Sequence, residues 1–174
     1  MGFEFEIITE DVDESVSEEV LPKDAVRILA ERKGAAVAAR RDAEGALIIS
    51  SDTLVELDGK ALGKPVDFDD AVRMLRNLSG KSHFVRTGIS VSFMGKVFSG
   101  VASTEVVFYP LSDDDIFTYV ESGEPMDKAG AYGIQGGAGK FVKEYVGDFD
   151  TVVGLSLALT ERLIKEALGG EFVD

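Results

Sequence analysis

The chain is 174 residues long, 18.7 kDa, with 45% hydrophobic residues, which is enough for one well-packed core and short for two, so a single domain over 1–174 is expected. It has no cysteine and one histidine, His83, which excludes disulfides, thiol nucleophiles and cysteine or multi-histidine metal sites; any metal must be held by oxygens. The formal net charge of -14, from 32 acids against 18 bases, argues against nucleic-acid partners, and with no apolar run near the ~20 residues that span a bilayer and an acidic N-terminus the expectation is a soluble, cytoplasmic protein without a membrane partner.

In chain order, "FEFEII" (3–8) alternates apolar and acidic residues with the period of a strand, and "DVDESVSEEVLP" (11–22) reads as an acidic loop. Pro22 suits a first helical turn, so "PKDAVRILAERKGAAVAARR" (22–41) reads as a helix, weakened by Gly34. A strand is expected over 46–51, then a hairpin at Asp58-Gly59. Asp67, with Asp70 three residues on, caps a helix over 68–78, and Gly80 lies just past its end. The segment from His83 to Tyr109 reads as two long strands turning near Met94-Gly95. Ser112 opens a short helix to about Tyr119; a glycine-rich stretch (123–139), a strand (140–146) and a helix (about 155–168) complete the chain. This order predicts an α/β fold, a mixed β-sheet with helices packed on it.

Three features carry chemistry. "ALIISSDTLVELDGKALGKP" (46–65) runs a buried strand into Asp52, which either makes a local turn or points into the crevice that strand ends line in α/β sheets. Lys64, held extended before Pro65, is either a solvated loop lysine or a second group at that crevice. Lys33 interrupts the stripe Val26, Leu29, Ala30, Val37, so it either snorkels to the edge of its helix or delivers a positive charge beside Asp52. "SGEPMDKAGAYGIQGGAGKFV" (122–142) is the densest glycine segment, yet it is no P-loop: Ile134 stands where that pattern needs glycine and Phe141 where it needs Ser or Thr. What survives is a loop able to approach a ligand closely, carrying Asp127, Lys128 and Gln135. His83, without a partner motif, reads as structural.

Together, "EIITEDVDES", "ILAERKGAAVA", "SSDTLVELDGKALGKP", "AVRMLRNLSGKSH", "TYVESGEPMDKAGAYGIQG" and "VVGLSLAL" resemble the Maf family of nucleoside triphosphate pyrophosphatases, and "DKAGAYGIQG" looks like its dTTP/UTP branch. The resemblance implies a Maf/inosine-triphosphate-pyrophosphatase-like fold with a cleft between two lobes, and hydrolysis of a nucleoside triphosphate to a monophosphate and pyrophosphate with Mg2+ or Mn2+. It implies Asp52 as general base or metal-linked carboxylate, Lys33, Lys64 and Gln135 at the phosphates, Glu14 as a second metal carboxylate, and Asp127 and Lys128 at the base pocket. It also implies an upstream strand and a serine-containing loop ending in paired arginines. Nothing before Gly2 matches these, and Arg40-Arg41 does not fit their place. A misplaced start site, a shortened sequence or a true loss would each give this; with a true loss a strand and part of the phosphate site go, and the exposed edge favours a homodimer. Two alternatives stay open: a catalytically impaired nucleotide- or protein-binding relative, and an inosine-triphosphate-type enzyme.

Overall fold

The computed structural model describes residues 4–17, 19–40 and 43–170. Residues 4–8 have no strand structure, contrary to the strand expected over 3–8; Phe5 and Ile7 are exposed, so their alternation faces no sheet. Phe3 and Arg41 lie outside the described residues. The acidic segment leads into α1 (Pro22–Ala38), which has Pro22 in its first turn and no side-chain cap. It stops at Ala38, short of the expected Arg41.

Next come β1 (Ile48–Leu57), β2 (Lys60–Leu62), α2 (Phe68–Leu78), β3 (Ser82–Phe93), β4 (Lys96–Phe108) and α3 (Asp113–Glu121). Beyond three short 3-10 turns, β5 (Val142–Val146), α4 (Phe149–Val153) and α5 (Leu157–Ala167) follow. The caps form as the residue types dictate. The Asp67 side chain accepts from the Asp70 amide, Ser112 from Asp115 and Ser156 from Leu159, each satisfying an otherwise unpaired first-turn donor.

The five strands are ordered β2-β1-β3-β4-β5, and every described pairing is antiparallel. The α/β reading holds, but the sheet is antiparallel where a mixed one was expected, because tight turns at Asp58-Gly59 and Met94-Gly95 make β1-β2 and β3-β4 hairpins. Strand β1 runs to Leu57, six residues beyond the expected end, because the polar run is accommodated in the ladder: Ser51 pairs with Ile89, Asp52 with Gly88 and Thr53 with Thr87. Asp52 therefore lies within a strand, not beyond one. The short helix α4 carries no periodic signal and went unpredicted.

Burial divides the sheet lengthwise. At one end Val55, Val85 and Phe108 pack with α2, α3 and the loop residues Tyr132 and Phe141; at the other Ile89 and Val91 pack with Leu159, Leu163 and Ile164 of α5. On the opposite face, Leu54 packs with Ala25 and Val26 of α1. Two glycines set that contact. A Cβ on Gly88 would overlap the Val26 carbonyl, and one on Gly34 would stand 2.7 Å from the Ser50 hydroxyl. The glycine that weakens α1 as a sequence is thus its point of closest approach to β1. A cleft opens between the first of these cores and the α1 packing, lined by Val55, Val85 and Tyr132 from one and by Ala25 and Leu54 from the other.

Candidate active site

Side chains alternate along β1, so Ser50, Asp52 and Leu54 face α1 while Ser51, Thr53 and Val55 face the other side. The backbone contact at Gly88 and Gly34 brings Lys33 of α1 over the strand. Its Nζ donates to Asp52 Oδ1 at 2.5 Å and lies 2.9 Å from Glu14 Oε1, bridging two carboxylates. The Asp52 side chain is only 13% exposed, against 54% for Glu14, so the two carboxylates titrate differently. Burial lifts Asp52 above the usual carboxylate range despite the opposing pull of Lys33. Glu14 is held below its usual value by the hydrogen bond and charge of Lys33. Burial works against the Lys33 charge, but hydrogen bonds to Asp52 and Glu14 outweigh it and hold the ammonium above its ordinary value.

A cleft of about 1020 Å3 takes in all seven residues singled out from the sequence: Glu14, Lys33, Asp52, Lys64, Asp127, Lys128 and Gln135. Such a volume accommodates a ligand of nucleotide size. Lys64 makes no ion pair among the described residues, yet its charge lowers the pKa of Glu14, Asp52 and Asp127 alike. Across the cleft, Lys128 Nζ meets Asp127 Oδ1 at 2.6 Å, and that hydrogen bond holds Asp127 below its ordinary value. Gln135 stands on the exposed tip of the turn 133–136, closed by a bond from the Gly136 amide to the Gly133 carbonyl. The cleft thus has a carboxylate–ammonium–carboxylate group on one wall, and a lysine and an amide on the other.

Among the described residues no cluster of three or more His, Cys, Asp or Glu side chains could hold a metal by itself. Of the carboxylates that line the cleft, Asp52 and Glu14 are the two brought together, on Lys33. This pair suits a hard cation such as Mg2+, which takes one or two carboxylates and completes its shell with water and phosphate oxygens.

Two further residues, Thr53 and Tyr132, line the cleft without a motif that singles them out. Thr87 gives its one hydroxyl proton to the Thr151 carbonyl (2.7 Å), so in the 2.8 Å contact with Thr53 it is Thr53 that donates. Thr53, on the cleft wall, is left with acceptor lone pairs. The period-2 alternation of "SSDTL" could have placed Thr53 back to back with Asp52 once the strand was extended. Tyr132 also lines the cleft; its hydroxyl meets His83 Nε2 at 2.8 Å in the core. Burial lowers the His83 pKa to about 4, so the ring is neutral and structural at neutral pH.

The family described as "Maf-like protein" matches residues 1–167. A dTTP/UTP pyrophosphatase of Bacillus velezensis is 46% identical over 162 residues, 93% of this chain and 85% of that protein. One of Vibrio cholerae is 46% identical over 166 residues, 95% of this chain and 88% of that protein. A third, of Pseudoalteromonas translucida, is 44% identical over 170 residues, 98% and 89% of the two chains.

Proposed function

Because the chain belongs to the Maf-like protein family, we propose that it hydrolyses dTTP and UTP to the nucleoside monophosphate and pyrophosphate. The observation that carries this reading is the half-buried Lys33 ammonium clasped between Asp52 and Glu14 on the wall of a nucleotide-sized cleft. Asp52, lifted by burial, is a stronger base than a solvent-exposed carboxylate. It takes a proton from the attacking water; the water oxygen bonds to the α-phosphorus, the α–β bridging bond breaks, and pyrophosphate leaves with the electron pair. Lys33 and Lys64 face the triphosphate as point charges, and Gln135 donates its amide to the charge that develops on the phosphoryl oxygens. Asp127 and Lys128 shape the pocket for the base. Asp52 and Glu14 would hold a divalent cation; when bound, it neutralises phosphate charge and makes water more acidic.

Pyrophosphate release from dTTP, UTP, CTP, GTP and ITP, with Mg2+ and Mn2+ in turn, tests the reading. Release is expected from dTTP and UTP ahead of the others. A preference for ITP or GTP would assign a purine substrate instead, and no release from any of the five would overturn the hydrolase reading.

A further inference from the structure

The turn that carries Gln135 is built on a side chain from outside it. Glu124 is partly buried at the start of a 3-10 turn (Glu124–Asp127), and both of its carboxylate oxygens are engaged. Oε1 accepts from the Tyr119 hydroxyl at 3.0 Å, and Oε2 accepts from the Gly137 amide at 3.0 Å. The Tyr119 hydroxyl, its proton committed to Glu124, accepts in turn from the Gly133 amide at 3.2 Å. The backbone donors at the two ends of the segment 133–137 are therefore tied, directly or through one hydroxyl, to a single carboxylate.

The glycines report the same contact. A Cβ on Gly136 would overlap the Glu124 carboxylate, and one on Gly133 would stand 3.5 Å from Glu124 Oε1 and 3.4 Å from Lys128 Cε. Gly137 packs on the ring of Tyr119, where an added Cβ would meet ring carbons at 3.2 and 3.3 Å. Tyr119 itself is fixed, 4% exposed and edge-on to Phe141 at 5.3 Å between centroids. The density of glycine in "GIQGG" thus follows from a backbone laid against a carboxylate and an aromatic ring.

We infer that Glu124, held by Tyr119, is a positioning residue: it clasps the 133–137 turn so that Gln135 is presented to the cleft in one geometry. This rests on the hydrolase reading for its functional consequence, though not for the clasp itself. Three replacements separate the parts. Glu124→Gln keeps the shape but leaves one acceptor where two bonds are needed. Tyr119→Phe removes the hydroxyl and keeps the ring in the core. Gly136→Ala drives a methyl into the carboxylate from the other side.

The test combines backbone amide hydrogen exchange and steady-state hydrolysis of dTTP on the full chain. Each variant is expected to speed exchange of the 133–137 amides while leaving those of β3 unchanged. Turnover is expected to fall, on the order of 10²-fold in kcat with little change in KM, as for a misplaced group that acts on the transition state. Glu124→Gln combined with Tyr119→Phe should be no worse than the poorer single variant, since both release the same turn. Unchanged exchange in the turn would overturn the clasp. Faster exchange with wild-type kcat would overturn its role in positioning, as would a loss of activity that tracks faster exchange throughout β3. Absence of turnover in the unmutated chain would defeat the hydrolase reading separately, and the clasp would then stand or fall on exchange.

Discussion

Asp52 sits between opposing influences. Burial and the nearby Glu14 charge favour its neutral form; Lys33, in contact, and Lys64, farther off, favour the anion. Burial wins, so its pKa lies above the ordinary carboxylate value, and a base of this kind loses activity as pH falls through that raised pKa. Replacing Lys33 by Met removes the largest influence on the other side. The acid limb of the kcat/KM profile should then move to higher pH, together with a fall in the plateau on the order of 10²-fold from the lost contact to the phosphates. A pH profile of Lys33→Met with an unmoved acid limb would show that Asp52 is not the group being titrated.

At the scale of elements, the site depends on how closely α1 approaches the sheet. Gly88 lies opposite Asp52 in the ladder and directly beneath the Val26 carbonyl, so Gly88→Ala must push α1 away and carry Lys33 off Asp52. A cost of about 1–3 kcal/mol is expected in urea unfolding, as for other overpacked contacts, with activity reduced even in the folded fraction. Gly63→Ala, where an added Cβ meets nothing within 4 Å, should stay within about 0.5 kcal/mol of wild type. Equal stability of the two variants would remove the close approach as the feature that builds the site.

This dependence also explains what could be read in advance. Helices α2 and α3 are written in local signals, a side-chain cap followed by apolar spacing, and they fall where the sequence puts them. The β3-β4 hairpin is equally local, with Gly95 at a φ of 75° in its turn. Strand β1 was cut short at Ser51 because hydropathy treats "SSDT" as an ending. Only the tertiary partners, the Ala30 carbonyl for Ser50, Lys33 for Asp52 and Thr87 for Thr53, make those polar residues tolerable in a strand. The segment 4–8 failed in the opposite sense: its alternation was locally convincing, but no sheet edge receives it. The side chains of the cleft were legible as residue types in a motif, whereas the clasp of Glu124 on a distant turn has no local signature at all.

For the whole molecule, fold and charge work together. A chain with a formal charge of -14 repels a polyphosphate at long range, so its lysines must act at contact. The architecture achieves this by setting Lys33 on α1 against one core and Lys64 and Lys128 beside the other, where the Gly130 amide donates to the Gly63 carbonyl, all three facing one cleft. No described helix is long and apolar enough to cross a membrane.

The most direct test of the account is the identity of the products from dTTP, followed by phosphorus NMR with the wild-type chain and with Asp52→Asn, whose melting temperature is measured alongside. The wild type is expected to yield dTMP and pyrophosphate in equal amounts. The variant should melt no lower than wild type, since a neutral side chain avoids the burial cost of the anion, and should lose at least about 10²-fold in rate with the removal of the base. Orthophosphate and dTDP as products, or an Asp52→Asn chain that turns over at the wild-type rate, would contradict it.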